Sequence, residues 1–201
     1  MEPSAKGTIV MGVVASLRKQ RKLGQLAQGQ LAARLSAPAL ELFEQKIEPT
    51  RWYPMPAFAE LVALEWEVVA KRNPDYARKS GALSADRQFE SGRYQQLDFA
   101  QRTGKAESSR ALLLQARLIT TITAAFYSFL DIRVAIDPAR PDRLEIVYAN
   151  AALFPEPLRY ATEGFMNQIN QRQGSPRRWE SARTAPDRIV FSLPLPERLV
   201  G

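Results

Sequence analysis

The sequence contains no histidine and no cysteine among its 201 residues. Without these side chains the chain cannot form a Ser-His or Cys-His nucleophile pair, and a zinc site made only of carboxylates would be atypical. The lack of cysteine also excludes a disulfide framework. Carboxylate-only sites for Mg²⁺ or Ca²⁺, and an enzyme that uses only Asp, Glu, Lys, Arg, Tyr or Ser, remain open. These absences favour a protein that is not an enzyme and predict no cofactor and no metal.

Long hydrophobic runs are also missing. No window approaches the ~18 uninterrupted apolar residues of a membrane span. The apolar stretch Ile9–Val14 has only Lys6 ahead of it, and the basic run Arg18–Lys22 follows it. A secretory signal has its charge first and a longer apolar region. We therefore expect a soluble, cytoplasmic protein with no membrane span.

Positive charge is in excess but is not concentrated. The formal net charge is +7, and the excess is +3, +2 and +2 in residues 1–50, 51–110 and 111–201. A dedicated nucleic-acid surface more often forms one basic stripe. Nucleic-acid binding through two short basic patches is therefore the alternative function and not the favoured one.

The first basic patch comprises Arg18, Lys19, Arg21 and Lys22 at the end of the first predicted helix. Cations are favoured at a helix C-terminus by the helix dipole, and an anionic partner would also explain them. The second patch comprises Arg177, Arg178, Arg183 and Arg188, close to Trp179. Arginine with an aromatic ring can clamp single-stranded nucleic acid, whereas edge strands carry such charges to block aggregation.

Hydrophobic periodicity divides the chain into two parts. Up to about residue 129, apolar residues recur at the i, i+3, i+4 and i+7 spacing of helices that bury one face. The predicted helices cover about 8–22, 26–35, 39–47, 57–72, 74–92, 94–102 and 107–129. The last of them is apolar around most of its circumference, which predicts burial in the core or in a subunit contact.

From Asp131 the period changes to two, the signal of strands. The predicted strands are 131–137, 143–149, 177–183 and 188–193, and a helix over about 155–172 lies between the second and third. Short turn-rich loops imply antiparallel pairing, with the helix covering one face of the sheet. The predicted class is α+β, with an N-terminal helical region followed by a ββαββ antiparallel sheet unit.

These boundaries predict one domain with short ends. Residues 1–7 are expected to be a flexible leader, and residues 196–201 a tail. The single α+β domain then covers 8–195, with the helical part at 8–130 and the ββαββ part at 131–195.

Four aromatic residues are the candidates for a ligand pocket: Trp52, Tyr53, Phe126 and Tyr127. They lie at the ends of predicted elements, and the polar tips of Trp and Tyr need partners when they are buried. Ordinary core or interface packing is the alternative explanation for all four.

Several short motifs, in their order along the chain, resemble the haem-NO-binding and 4-vinyl-reductase superfamily. They are Lys6-Gly7-Thr8, Trp52-Tyr53-Pro54, Phe126-Tyr127, Glu163-Gly164-Phe165 and the closing strand Ile189–Leu193. The resemblance covers about residues 6–195, and the sequence is most similar to an uncharacterised myxobacterial, hence bacterial, family of about this length.

The resemblance implies a sensor-like fold from which the cofactor has been lost. Haem-binding members use a proximal histidine, and 4-vinyl-reductase members often have a cysteine-lined metal site, but this sequence has neither residue type. What such a relative keeps is a pocket for a small apolar ligand, a dimer surface, or both. We therefore predict a non-catalytic, cofactor-free regulatory domain that binds a ligand or a protein partner and forms a homodimer.

Overall fold

The computed structural model describes residues 2–90, 109–136 and 140–195. Within these ranges the chain forms helices and antiparallel strands, so the predicted α+β class is confirmed. The helices are α1 (Gly7–Lys22), α2 (Gln28–Arg34), α3 (Ala37–Glu44), α4 (Met55–Val68), α5 (Pro74–Glu90), α6 (Ser109–Ala124) and α7 (Glu156–Arg172). The strands are β1 (Ser4–Lys6), β2 (Trp52–Pro54), β3 (Asp131–Ile136), β4 (Arg143–Ala149), β5 (Glu180–Ala185) and β6 (Arg188–Pro194).

Local signals determine where several helices begin. The Ser36 side chain accepts a hydrogen bond from the Ala39 amide, and Pro38 occupies the first turn of α3. Proline suits the first turn because its missing N–H would have no partner there. Helix α5 begins at Pro74 for the same reason. No helix in the described ranges is long and apolar enough to cross a membrane.

Strand β1 corrects the prediction of a flexible leader over residues 1–7. Ala5 is fully buried and pairs with Tyr53 of β2 on one side and with Tyr127 on the other. The Lys6 amide donates to the Phe126 carbonyl at 2.9 Å, which ties the start of the chain to the segment after α6. The leader prediction is therefore wrong for residues 4–6. The pairing partners of β1 lie far away in sequence, so a local sequence pattern cannot reveal the strand.

The ββαββ unit is confirmed, and its strands lie in the order β3-β4-β6-β5. Leu144, Ile146 and Tyr148 of β4 are buried opposite Leu193, Phe191 and Ile189 of β6. Alternation therefore aims one set of side chains at the core, as expected for a half-buried strand. The third predicted strand, 177–183, is shifted: β5 covers Glu180–Ala185.

Helices α5 and α7 are in close contact, and glycine permits it. A Cβ atom added at Gly81 would collide with the Ala161 carbonyl, and one added at Gly164 would collide with the Arg78 carbonyl. Hydrogen bonds and ion pairs flank this contact. The Arg78 Nε lies 2.5 Å from Glu163 Oε1, and the Arg172 Nε lies 2.6 Å from Asp86 Oδ1. The two helices are thus held together backbone to backbone.

Helix α6 is shorter and more exposed than its composition predicts. It ends at Ala124, not at Phe129, because the residues that follow pair with β1. Leu112, Ala116 and Ile119 are buried, whereas Leu114 is 57% exposed. The prediction of a helix buried on nearly every side is therefore wrong for a single chain. A dimer contact on this face stays a prediction, and the predicted helix over 94–102 lies outside the described residues.

Candidate functional site

Helix α1 presents two faces with different chemistry. Val10, Val13 and Leu17 point into the core. On a neighbouring face, Met11, Ala15 and Lys22 follow one another at helical spacing. This second face forms one wall of a groove.

The other wall of the groove is the chain that leaves α3. Arg18 of α1 fixes it in place, because its guanidinium donates to the Phe43 carbonyl at 2.5 and 3.1 Å and to the Gln45 carbonyl at 2.7 Å. These carbonyls lie at the C-terminal end of α3, where the helix itself supplies no donors. Arg18 therefore joins α1 to α3 and brings Ile47 alongside α1.

The groove has a volume of about 490 Å³. Its apolar lining comes from Met11, Val14, Ala15 and Ile47, and its cations are Arg18, Lys19, Lys22 and Lys46. Met11 is 41% exposed, so part of this apolar surface meets water. Among the described residues, no acidic side chain lines the groove. The groove thus combines an apolar surface with side chains that carry only positive charge.

The first basic patch predicted from the sequence has two roles in the structure. Arg18 binds backbone carbonyls, and Arg21 forms an ion pair with Glu44 at 2.6 Å and lies over the Phe43 ring at 4.9 Å. Lys19 and Lys22 are exposed at the groove. Two of the four residues therefore connect helices, and two remain open to a ligand.

The second predicted patch is also divided. Arg183 is a structural residue: its guanidinium donates to the carbonyls of Phe154 at 2.5 Å and Ala151 at 3.2 Å, and its Nε lies 2.6 Å from Glu156 Oε1. Arg178 and Arg188 are exposed. Arg177 donates to the Pro194 carbonyl at 3.4 Å.

Trp179 corrects the idea of an aromatic clamp on this hairpin. Its side chain is 1% exposed, and its backbone amide and carbonyl are both bound by the Asn167 side chain, at 2.7 and 3.0 Å. A ring buried in this way cannot stack on a nucleic-acid base, which needs an exposed aromatic face. Of the two explanations for this patch, the alternative in which Trp179 stacks on nucleic acid is therefore contradicted.

The four aromatics predicted to line a pocket lie around β1. Tyr53 and Tyr127 are buried, and the rings of Tyr127 and Phe154 pack edge to face with centroids 5.1 Å apart. Trp52 is 40% exposed and lies under the Lys6 ammonium, 4.4 Å from its ring centroid, while Phe126 is half-buried. The structure thus brings them near one another. Their role in binding a ligand stays a prediction.

Sequence reasoning missed most of the groove. The helical face of the groove could be predicted from the sequence, because its residues recur at i, i+4, i+7 and i+11: Met11, Ala15, Arg18 and Lys22. Lys46 and Ile47 carried no comparable signal, because only the docking of α3 brings them to α1.

The carboxyl of Glu65, on α4, is partly buried. Burial raises the pKa of Glu65 above its ordinary value, and a hydrogen bond with Ser16 opposes this shift. In the described part of the chain, no ion pair joins Glu65 to a cation, and no group of three or more Asp or Glu side chains is arranged to hold a metal ion. The charged form of Glu65 therefore opposes folding, and the described residues around it do not form a metal site.

The charge on Glu65 gives a prediction for stability against pH. Its pKa is higher in the folded chain, so folding favours the protonated form, and the penalty disappears as the pH falls through the folded pKa. We expect Glu65→Gln to raise the melting temperature at pH 8, with a difference from the wild type that narrows towards pH 4. Thermal melts across this range test it. A difference independent of pH would contradict the assignment.

Comparisons with known proteins identify the fold. No protein-family model matches the chain, and no curated protein matches it. The solved structures it resembles are H-NOX domains. A single-substitution variant of the K. algicida H-NOX protein, in its Fe(II) unliganded form, has a TM-score of 0.57 at 12% identity, covering 96% of this chain and 98% of that one.

The T. tengcongensis H-NOX protein, also as a single-substitution variant, gives a TM-score of 0.50 at 13% identity, with 94% of this chain and 96% of that one covered. At these identities the likeness concerns the fold alone. The fold that the sequence resemblance implied is confirmed, and membership of a myxobacterial family stays a prediction.

Proposed function

We propose that this chain is a regulatory binding domain that uses the H-NOX fold without haem and performs no catalysis. The observation that carries the proposal is the set of potential iron ligands in this chain. Solved structures with the same fold include an Fe(II) protein and one studied for the redox potential of its haem. Haem iron in proteins is held by His, Cys, Met or Tyr, and this sequence has neither of the first two.

The three described methionines do not supply a substitute ligand. Met55 and Met166 are fully buried among core side chains, and Met11 lies on the open groove. A thioether sealed into a packed core cannot reach a haem without opening that core.

The described tyrosines are equally unsuited, because an iron-bound tyrosine has to give up its proton. Burial raises the pKa of Tyr76, Tyr127 and Tyr148, which favours the neutral phenol. The Tyr53 hydroxyl accepts a backbone hydrogen bond at 2.8 Å, and the Tyr160 ring is covered by two guanidinium groups at 4.1 and 4.8 Å. The described residues therefore do not fit a haem.

What such a domain retains is the ability to bind a ligand or a protein. The groove beside α1 supports a ligand role. The solvent-exposed face of α6, which includes Leu114, supports self-association into a homodimer. A pocket for a small apolar ligand lined by Trp52, Tyr53, Phe126 and Tyr127 remains a second proposal, and the protein is proposed to work in the cytoplasm.

Haem titration tests the central claim. The purified chain is mixed with one equivalent of haemin, reduced, and scanned for the Soret band of axially ligated haem, with the T. tengcongensis H-NOX protein treated in parallel. We expect the band only in the H-NOX protein. A stoichiometric ligated spectrum from this chain would overturn the proposal. Light scattering on the same preparation should give the mass of a dimer. The mass of a monomer at high protein concentration would contradict the proposed homodimer.

A further inference from the structure

We propose that the groove between α1 and residues 45–47 binds a small amphiphile with an alkyl tail and an anionic head group. This inference rests on the proposed function, since it names the ligand class of a haem-free binding domain. It depends on the groove alone and not on the fate of haem.

The apolar lining would take the tail. The apolar strip is formed by Met11 and Ala15, which are exposed, and by Val14 and Ile47, which line the groove but are only 2% and 8% exposed. Met11 to Lys22 spans about 16 Å along the helix axis. Burying the exposed part of this apolar surface stabilises a complex in proportion to the area removed from water. A groove of about 490 Å³ is also within the size range of small-molecule sites.

The lysines would bind the head group. Cations at a helix end often serve only to satisfy the helix dipole and its free carbonyls. Here Arg18 already binds the carbonyls that end α3, and Arg21 already pairs with Glu44. Lys19, Lys22 and Lys46 are left over: all three are exposed, and none has a carboxylate partner among the described residues.

These surplus charges select the sign of the ligand. Three ammonium groups beside one apolar strip repel each other, and an anionic head group would relieve that repulsion, whereas a cationic one would add to it. The size of the groove argues against a protein occupant. A stable protein interface uses roughly 20–30 residues a side, and eight residues line this groove.

The experiment uses dodecanoate as the probe, below its micelle concentration, in isothermal titration calorimetry with the full chain. Saturable binding of one dodecanoate per chain is expected. Acetate, which has the head group alone, should show no saturable heat. Dodecyltrimethylammonium, which has the same tail with the opposite charge, should bind at least about tenfold more weakly than dodecanoate. Raising the salt concentration should weaken dodecanoate binding, because the lysines are exposed to solvent.

Two variants address the two halves of the groove. Lys22→Glu/Lys46→Glu should weaken dodecanoate binding by about tenfold, and Ala15→Trp should abolish it by filling the apolar strip. The matched control is Lys79→Glu/Arg87→Glu, which changes the net charge by the same amount on the exposed side of α5. It should bind as the wild type does. Circular dichroism confirms that each variant is folded.

The proposal is overturned by any of three results: no saturable binding of dodecanoate, equal binding of the cationic amphiphile, or affinity unchanged in both groove variants. Co-sedimentation with phosphatidylglycerol vesicles forms a separate arm. Vesicle binding without uptake of free dodecanoate would also overturn it, and would assign the lysines to a membrane surface. Binding of haem by the chain would contradict the proposed function, but it would not change the result expected from the dodecanoate titration.

Discussion

Gly164→Ala is expected to destabilise the protein by about 2 kcal/mol. The added methyl group would meet the Arg78 backbone carbonyl, and a backbone atom cannot rotate away as a flexible side chain can. Overpacking of this kind costs up to about 3 kcal/mol, while the higher helix propensity of alanine returns about 1 kcal/mol. The melting temperature should then fall by about 4–8 °C for a chain of this size.

A second glycine offers the matched control. Gly12 lies in α1, where an added Cβ would meet nothing within 4 Å. Gly12→Ala should therefore raise stability by about 0.5–1 kcal/mol through helix propensity alone. Gly81→Ala, on the opposite side of the α5–α7 contact, should behave as Gly164→Ala does. If Gly164→Ala were as stable as the wild type, the two backbones would not be in contact.

Arg183→Ala is expected to cost about 3 kcal/mol of unfolding free energy, measured by urea denaturation. The guanidinium donates to the carbonyls of Phe154, Ala151 and Pro186. Its loss leaves the part-buried Phe154 carbonyl without this donor, whereas the Ala151 carbonyl still accepts from the Phe154 amide and the Pro186 contact is exposed. The substitution also removes one of the two arginines that hold Glu156. A buried acceptor left unsatisfied costs about 1–3 kcal/mol, and breaking a partly exposed ion pair adds up to about 1 kcal/mol.

The state of Glu156 follows from the same arrangement. Burial raises the pKa of its carboxyl, but hydrogen bonds from Arg183 and Arg159 outweigh burial and lower the pKa overall. A lowered folded pKa contributes stability that is present at neutral pH and lost as the pH falls through that folded value. The cost of Arg183→Ala should accordingly shrink in acid.

Two further variants separate structure from charge in this patch. Arg183→Lys keeps the charge but should recover little stability, because an ammonium cannot reach several carbonyls as a planar guanidinium does. Arg188→Ala, which removes an exposed arginine from the same hairpin, should change stability by less than about 0.5 kcal/mol. Equal costs for Arg183→Ala and Arg188→Ala would contradict the structural role.

The basic patches show how sequence and structure divide the work. A run such as Arg18–Lys22 identifies where charge is located along the chain, but not which cations are already bound. Docking of α3 engages Arg18 and Arg21 and leaves Lys19 and Lys22 open. Whether an arginine binds a ligand or a carbonyl depends on a neighbour far away in sequence.

The sequence by itself determined the absence of histidine and cysteine, the helical first part, and the alternating strands of the ββαββ unit. Those features are local: a residue type is present or absent, and a period of two or 3.6 is read within one element. Tertiary structure alone decided that β1 joins β2 and Tyr127, that Gly164 touches Arg78, and that Lys46 and Ile47 complete a groove on α1. Each of these pairs residues that are distant along the chain, and only the packing of whole elements brings them together.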